Sequence, residues 1–317
     1  MASNKVLITG ASGLLGIPII QKLIAHKITT SALSRKQQMA LEGLEWIQGD
    51  LLNPLSYEYK LQGIETIIHV AGYVSYQKED RDLLYKTNVL ATRDLINAAL
   101  AYKVQNFLYI SSASTLIRSS DLALVSTQSA GNPVFNSFYA ESKFLGELEV
   151  WRAAAEGLKV CILNPSLVLS KYSWDHSSMQ IFNRVKQGLS YYPPGSLGLV
   201  SAEDIANIVL KIMNESIWNQ QFLVNAETWT YKEFLNAIAK GLNTPEINKE
   251  ASLFAAKSLS FIERFASFLN NKHRLITQET IQSSFTKFKY DDFATSQTLN
   301  YNYKDIKNLI EDITALG

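Results

Sequence analysis

The chain has 317 residues, a length that suits one large domain with a smaller one appended. Lys and Arg number 30 against 29 Asp and Glu, so no net field marks a nucleic-acid partner or a membrane surface. A single cysteine, Cys161, excludes an internal disulfide, and the histidines (His26, His69, His176, His273) stand at no metal-ligand spacing from one another or from it, so no metal is expected.

The first element, Lys5-Val6-Leu7-Ile8, reads as a buried strand. Because it starts so early it leaves no room for a signal peptide, and no apolar run reaches the roughly 18 residues of a spanning helix. A cytoplasmic protein without membrane insertion is expected. Thr9-Gly10-Ala11-Ser12-Gly13-Leu14-Leu15-Gly16 follows the strand directly. Gly10 permits a tight turn, Gly13 carries no side chain where phosphates would approach, and Gly16 lets the next helix pack closely on the strand. Backbone N–H groups at that helix start have no partner within the helix and suit an anion, which points to a bound dinucleotide. Helical periodicity continues through Leu15, Ile19 and Leu23, with Pro18 expected to distort the first turn.

Short apolar strands then alternate with helical patterns, the mark of parallel βαβ units. Strands are expected at Ile28 to Leu33, Leu44 to Gln48, Ile64 to Val70, Val104 to Ile110 and Leu158 to Leu163, where Cys161 reads as a buried strand residue. Helices are expected at Asp80 to Ala101 and Ser137 to Ala155. From about residue 166 the pattern loosens; Tyr191-Tyr192-Pro193-Pro194-Gly195 reads as a rigid turn and the remainder as mostly helices. The fold class is therefore α/β, a Rossmann-type doubly wound parallel sheet with a smaller, mostly helical C-terminal substrate domain. The boundaries are 1–165 for the dinucleotide-binding part and 166–317 for the substrate part, with parts of about 195–226 returning to the first core. The apolar stripe Leu253 to Leu269 reads as core or pocket lining rather than a membrane-surface helix.

Tyr139 and Lys143 form a Tyr-x-x-x-Lys pair. With 15 tyrosines about one such pair is expected by chance, and Tyr303 with Lys307 is a second, read as a solvated helix start. Context separates them. Phe144, Leu148, Trp151 and Ala155 mark an apolar side of the Ser137 to Ala155 helix, leaving Tyr139 and Lys143 a face of their own. An ammonium one turn away favours a phenolate and lowers its pKa, making Tyr139 a general acid or base near neutrality. Upstream, Phe107 to Ser114 reads as a buried strand ending in hydroxyls, where an open α/β sheet presents its ligand crevice.

On these motifs the chain resembles the extended short-chain dehydrogenase/reductase family, and the resemblance is strongest from residue 4 to about 205. It implies cofactor contacts at Gly10, Ser12, Gly13, Leu14, Leu15 and Gly16 in the turn, at Asp50 and Leu51 near the adenine, and at Val70, Ala71 and Gly72 along the cofactor. Thr87-Asn88-Val89 matches the family's Thr-Asn-Val with Ala91 where a Gly is usual, and Asn88 is expected to brace the helix. The resemblance makes Ser112, Tyr139 and Lys143 catalytic, with Tyr139 and Lys143 also touching the cofactor. Asn164-Pro165-Ser166 resembles the segment beside the nicotinamide, which adds Pro165 and Ser166, although Ser170-Lys171 replaces the usual Gly-Pro.

Ser34-Arg35-Lys36 ends the second strand where an acidic residue would mark NAD. Arg35 suits a 2'-phosphate, so NADP is expected ahead of NAD. Three functions remain open: a carbonyl reductase or alcohol dehydrogenase, a nucleotide-sugar epimerase, and a non-catalytic dinucleotide sensor. Ala113, Ser114 and Thr115 stand where dehydratases carry an Asp-Glu pair, which argues against dehydration. Few arginines in the C-terminal half (Arg184, Arg264, Arg274) argue against a nucleotide diphosphate, and Ser112 with the Tyr-Lys pair argues against a sensor. The segment His69 to Tyr76 and the Tyr191 to Gly195 turn look most like the dihydroflavonol reductase and hydroxysteroid dehydrogenase branch. That implies an apolar ring compound, with Trp174, Phe182, Tyr191, Tyr192 and Phe254 as its candidate lining. A monomer or homodimer acting on a small molecule is expected.

Overall fold

A computed structural model describes residues 5–316 apart from 37, 117–123, 128–134, 173, 175–176, 254–280 and 282. Phe254, Arg264, Arg274 and most of the stripe from Leu253 to Leu269 lie outside the described residues. The first half runs β1 (Val6–Thr9), α1 (Gly16–Ala25), β2 (Thr30–Ser34), β3 (Leu44–Gln48) and β4 (Thr66–His69). It continues through α2 (Arg81–Tyr85), a π-helical turn (Lys86–Leu90), α3 (Ala91–Ala101), β5 (Asn106–Ile110), β6 (Leu124–Val125), α4 (Phe138–Ala155) and β7 (Lys159–Pro165). After it come β8 (Leu167–Leu169), α5 (Gln180–Lys186), β9 (Tyr191–Tyr192), β10 (Ser196–Ser201), α6 (Ala202–Glu215), β11 (Gln220–Val224), β12 (Glu227–Thr230), α7 (Tyr231–Gly241) and β13 (Lys249–Glu250). The chain closes with β14 (Lys289–Tyr290), α8 (Phe293–Leu299) and α9 (Ile306–Ala315).

Seven strands make one parallel sheet in the order β11-β7-β5-β4-β1-β2-β3. Every residue of β1, β4 and β5 is buried, which is why these strands read as continuous apolar runs instead of alternating ones. The alternation is hidden in which core each residue enters. Val6, Ile8, Leu108, Ile110, Cys161 and Leu163 pack against α1 and α6, while Leu7, Phe107, Tyr109, Val160 and Ile162 pack against α3 and α4. Two helical layers thus bury both faces of the sheet. The strand order reverses between β1 and β4, and a ligand crevice forms at such a reversal beyond the carboxyl ends.

Pro18 acts as its position suggests. The bonds on either side of it, Ile17 N to Gly13 O and Ile19 N to Leu15 O, are long at 3.3 and 3.2 Å, and regular helix begins only at Gly16. Other details depart from the sequence reading. The second part carries a three-stranded sheet, β12-β10-β8, besides its helices, and β8 at three residues is too short to show a period. Tyr191 and Tyr192 form β9 beside β13, so the turn is confined to the residues after them. Tyr303 precedes the α9 N-cap, Asp305, and packs on Tyr301 at 5.3 Å between ring centres, so Tyr303 and Lys307 share no helix face. Within 195–226, α6 covers the large sheet and β11 joins its edge.

Gly146 sets how closely α4 approaches the sheet. A methyl there would meet the Tyr109 hydroxyl at 2.5 Å and the Asn88 carbonyl at 2.6 Å. Gly146→Ala is therefore expected to destabilise the protein by about 1–3 kcal/mol in denaturant unfolding, the usual cost of overpacking; an unchanged midpoint would show that α4 has room to move.

Candidate active site

A cavity of about 1080 Å³ opens at the carboxyl ends of the large sheet, along the seam with the second part of the chain. Its walls include Gly10, Ser12, Gly13, Leu14 and Leu15 from the turn after β1, Arg35 after β2, and Asp50 and Leu51 after β3. Val70, Ala71 and Gly72 follow β4, Ser112 follows β5, Tyr139 and Lys143 come from α4, and Pro165 and Ser166 from the end of β7. Gly16 and Asn88 stand behind this wall. Gly16 packs α1 against the turn, because a methyl there would overlap the Gly10 carbonyl oxygen. Asn88 holds the loop after β4 by accepting from Tyr73 N (2.8 Å) and donating to Tyr73 O (2.9 Å) and Ser142 Oγ (2.9 Å).

The turn fits a pyrophosphate. Gly10 has φ +70°, in the left-handed region, and an added methyl would lie 2.6 Å from Ala71 N. Gly13 N donates to Gly10 O at 3.0 Å, closing the loop ahead of α1. The result is an open backbone cradle at a helix start, the form in which an anion is held.

Ser137 caps α4, accepting from Ala140 N at 3.0 Å, which places Tyr139 in the first turn at the cavity. The helix is oriented opposite to the apolar-stripe reading. Its buried residues are Ala140, Ser142, Lys143, Gly146, Glu147, Val150 and Ala153, while Leu148 and Ala155 are exposed and Phe144 and Trp151 half-buried. The inward face is the one with the polar groups.

Lys143 is only 3% exposed; its Nζ donates to Ile110 O at 2.7 Å and lies 4.1 Å from the centre of the Tyr109 ring. Burial pulls its ammonium down to about 7. The Tyr139 phenol is pushed well above its usual range, first by burial and then by Tyr76, with the hydrogen bond to Ser112 opposing. The expected lowering of Tyr139 by Lys143 is thus overridden by desolvation, since the half-buried phenol packs on Tyr76 and the buried lysine is turned to a carbonyl. Ser112 Oγ accepts from Ser114 Oγ (2.9 Å) and Ser114 N (3.2 Å), which leaves its own proton to give toward Tyr139 or a carbonyl oxygen.

The four described rings of the expected aromatic lining lie elsewhere. Trp174 and Phe182 pack with tilted rings 5.5 Å apart in the core of the second part, and Tyr191 is largely exposed; neither Tyr191 nor Tyr192 lines the cavity. Besides Tyr139, the rings at the cavity among the described residues are Tyr73, Tyr76, Tyr231, Phe234, Phe288 and Tyr290, with Tyr76 edge-on to Tyr139 at 5.9 Å. Sequence reasoning also missed Glu147, although its spacing of four from Lys143 carries the Tyr139 face one turn further. Among the described residues no group of His, Cys, Asp and Glu could hold a metal, and no helix is long and apolar enough to cross a membrane.

The chain belongs to the NAD dependent epimerase/dehydratase family, whose model matches residues 6–223. It is 28% identical to sterol demethylase protein B of Methylococcus capsulatus over 72% of each chain. It is 26% identical to the 2-alkyl-3-oxoalkanoate reductase of Shewanella oneidensis over 94% of this chain and 82% of that one. Its relatives also include a putative dihydroflavonol 4-reductase and a 3-beta-hydroxysteroid dehydrogenase. The UDP-glucose 4-epimerase of Thermus thermophilus, solved with NAD, has the same fold, with a TM-score of 0.75 at 18% identity over 98% of both chains. The protein is an enzyme of the extended short-chain dehydrogenase/reductase type that uses a nicotinamide dinucleotide.

Lys143 links pH to stability. Its folded value near 7 lies below the ordinary lysine value of 10.5, so between those pH values the unfolded chain holds a proton that the folded chain lacks, and stability rises with pH. Below pH 7 the full cost of the buried ammonium is present. Lys143→Met is expected to exceed the wild type by a few kcal/mol in cofactor-free unfolding at pH 6, with the advantage shrinking steadily toward pH 10. A pH-independent difference would mean that Lys143 is solvated as an ordinary ammonium.

Proposed function

We propose that the protein transfers hydride between a nicotinamide cofactor, NADP in preference to NAD, and the carbonyl or alcohol of an apolar small molecule. One observation carries the reading: Ser112, Tyr139 and Lys143 meet in the same cavity as the glycine turn. The cofactor, when bound, supplies or accepts the hydride. Tyr139 gives a proton to the carbonyl oxygen, or takes one from the alcohol, and Ser112 holds that oxygen by its free proton. Lys143, at the ribose side, contributes charge and a donor. It is poised to favour the phenolate once it turns from Ile110 O toward the cofactor.

The rest of the cavity supports an uncharged substrate. Beyond Tyr139 the described lining consists of hydroxyls (Ser178, Ser196, Ser283), rings (Tyr231, Phe288, Tyr290) and aliphatic groups (Leu167, Val168, Ile181), and among the described lining residues Arg35, Lys36 and Lys143 are the cations. Oxoalkanoate reductase and sterol-processing relatives agree with such chemistry. At the other end Arg35 is exposed, and Ser34 takes the place of a ribose-binding acid; its Oγ is fixed by Gln38 Nε2 at 3.1 Å and by donation to Lys36 O at 2.9 Å. That end suits a 2'-phosphate.

Fluorescence titration is expected to give tighter binding of NADPH than NADH, with Arg35→Ala reducing the preference about ten-fold, the equivalent of one charge-assisted contact. Preference for NADH in the wild type would overturn the assignment. With a panel of cyclic and medium-chain ketones, Tyr139→Phe is expected to keep cofactor affinity and lose about 100-fold or more in turnover. Retained turnover would remove Tyr139 from the chemistry, and conversion of a UDP-sugar in place of any ketone would replace the reading by epimerisation.

A further inference from the structure

Glu147 is a carboxylate with 3% exposure in a place that apolar packing would fill at less cost. It does not touch the cavity, yet three of the four groups it holds, Ser111, Thr115 and Asn164, belong to segments that do. Oε1 accepts from Ser111 Oγ, from Thr115 Oγ1 at 2.7 Å and from Asn164 Nδ2 at 2.6 Å; Oε2 accepts from Gln221 Nε2 at 3.3 Å. Ser111 and Thr115 flank Ser112 on both sides, and Asn164 Nδ2 also reaches the Ser112 carbonyl at 3.1 Å. Asn164 in turn precedes Pro165 at the cavity wall. One carboxylate therefore ties α4 to the strand ends on which the reacting groups sit.

Its second relation is along the helix. Glu147 lies four residues after Lys143 on the same buried face, the spacing at which side chains are neighbours. Among the described residues the other titratable groups around this pair are Tyr109 from β5, His69 from β4 and Tyr139 from α4 itself. His69 is buried and held neutral, with burial pulling it down to about 3, and burial raises both phenols, so neither ring nor imidazole brings a charge. Burial raises the Glu147 acid, while its hydrogen bonds from Ser111, Thr115 and Asn164 and the charge of Lys143 oppose that rise; among the described residues it is the acid that acts on the ammonium.

We propose that Glu147 is a positioning residue for the reaction, fixing the loop that carries Ser112 and supplying the buried counter-charge that keeps Lys143 an ammonium. The proposal rests on the role given to Ser112, Tyr139 and Lys143 under the proposed function. Lys143 works only as a cation, since a neutral amine neither favours a phenolate nor completes the charge at the ribose side. The helix thus carries three groups in successive turns: the proton donor, its cation, and the anion that holds that cation charged.

The test needs neither cofactor nor substrate. In full-length protein labelled with 13Cε-lysine, the Lys143 signal, assigned by its loss in Lys143→Met, is followed against pH in the wild type, Glu147→Gln and Glu147→Asp. Glu147→Gln keeps the shape and removes the charge, so its Lys143 midpoint is expected at lower pH than the wild type, with Glu147→Asp restoring most of the difference. An unchanged midpoint in folded Glu147→Gln overturns the proposal, because a purely structural role would leave it in place. If Glu147→Gln does not fold, Ser111→Ala and Thr115→Val decide instead: each removes one donor from the carboxylate and is expected to move the midpoint the same way by less, and no movement in either overturns the idea. NADPH titration of the same samples separates the two readings. Normal cofactor binding with an unmoved midpoint rejects Glu147 alone, whereas absent cofactor binding in the wild type rejects the proposed function and leaves the Lys143–Glu147 coupling measurable.

Discussion

Helix α4 turns its charged face inward, and the geometry of the site depends on that choice. An ammonium and a carboxylate taken out of water cost several kcal/mol each unless the fold provides partners. Here it does: a strand-end carbonyl and the face of Tyr109 for Lys143, and four donors for Glu147. The partners come from β5 and the segment after it, β7 and β11, so satisfying the two charges fixes the helix against the carboxyl ends of β5 and β7 and the start of β11. Gly146 completes the fit, because only a residue without a side chain brings the helix close enough for those bonds to form. Tyr139 is then carried to the cavity by the helix start.

A second polar connection ties the glycine turn to the same region, and its direction can be worked out proton by proton. Thr92 Oγ1 donates to Asn88 O at 2.9 Å, so it accepts from His69 Nε2, 3.0 Å away. That leaves His69 Nδ1 without a proton, accepting from Thr9 Oγ1 at 2.7 Å, and Thr9 Oγ1 in turn accepts from Ala71 N at 3.2 Å. The chain is satisfied at each step only by a neutral histidine, in keeping with its strongly lowered pKa. It joins the end of β1, the loop after β4 and the π-helical turn that presents Asn88. The two walls that would hold the middle of the cofactor are therefore set by a single buried imidazole.

How much of this is legible in the sequence depends on the range of the forces involved. The strands of the large sheet are readable because burial on both faces forces each into an apolar run, and the turn from Gly10 to Gly16 is readable because close backbone approach admits little else. The facing of α4 is not. Phe144, Leu148 and Trp151 form the more apolar stripe, and the rule that apolar faces go inward assigns them to the core. It fails because Lys143 and Glu147 are compensated by residues 33 and 17 positions away, Ile110 and Asn164, which no local window contains. The small sheet of the second part was missed for a different reason: strands such as Leu167–Leu169 are too short to express a period, and pairing that spans the chain creates them. The cavity's aromatic lining was misplaced likewise, since Phe288 and Tyr290 reach it from a distant part of the sequence.

The distribution of charge along the cavity gives the parts their division of labour. Arg35, Lys36 and Asp50 stand at the end reached by β2 and β3, Lys143 stands at the middle, and the far end offers hydroxyls and rings. A ligand with phosphates and a ribose gains at the first end and would pay desolvation without compensation at the last, so on the proposed function the cavity would orient a dinucleotide by polarity as well as by shape. The same gradient explains the protonation states. Tyr139 lies edge-on to Tyr76, and desolvation there strengthens its hold on its proton. Lys143 lies a turn deeper, where burial brings its affinity for a proton near neutrality, so modest changes in nearby charge decide whether it is a cation. A buried anion four residues on is the kind of group able to make that decision, and its cost is offset by the same hydrogen bonds that hold Ser112 in place.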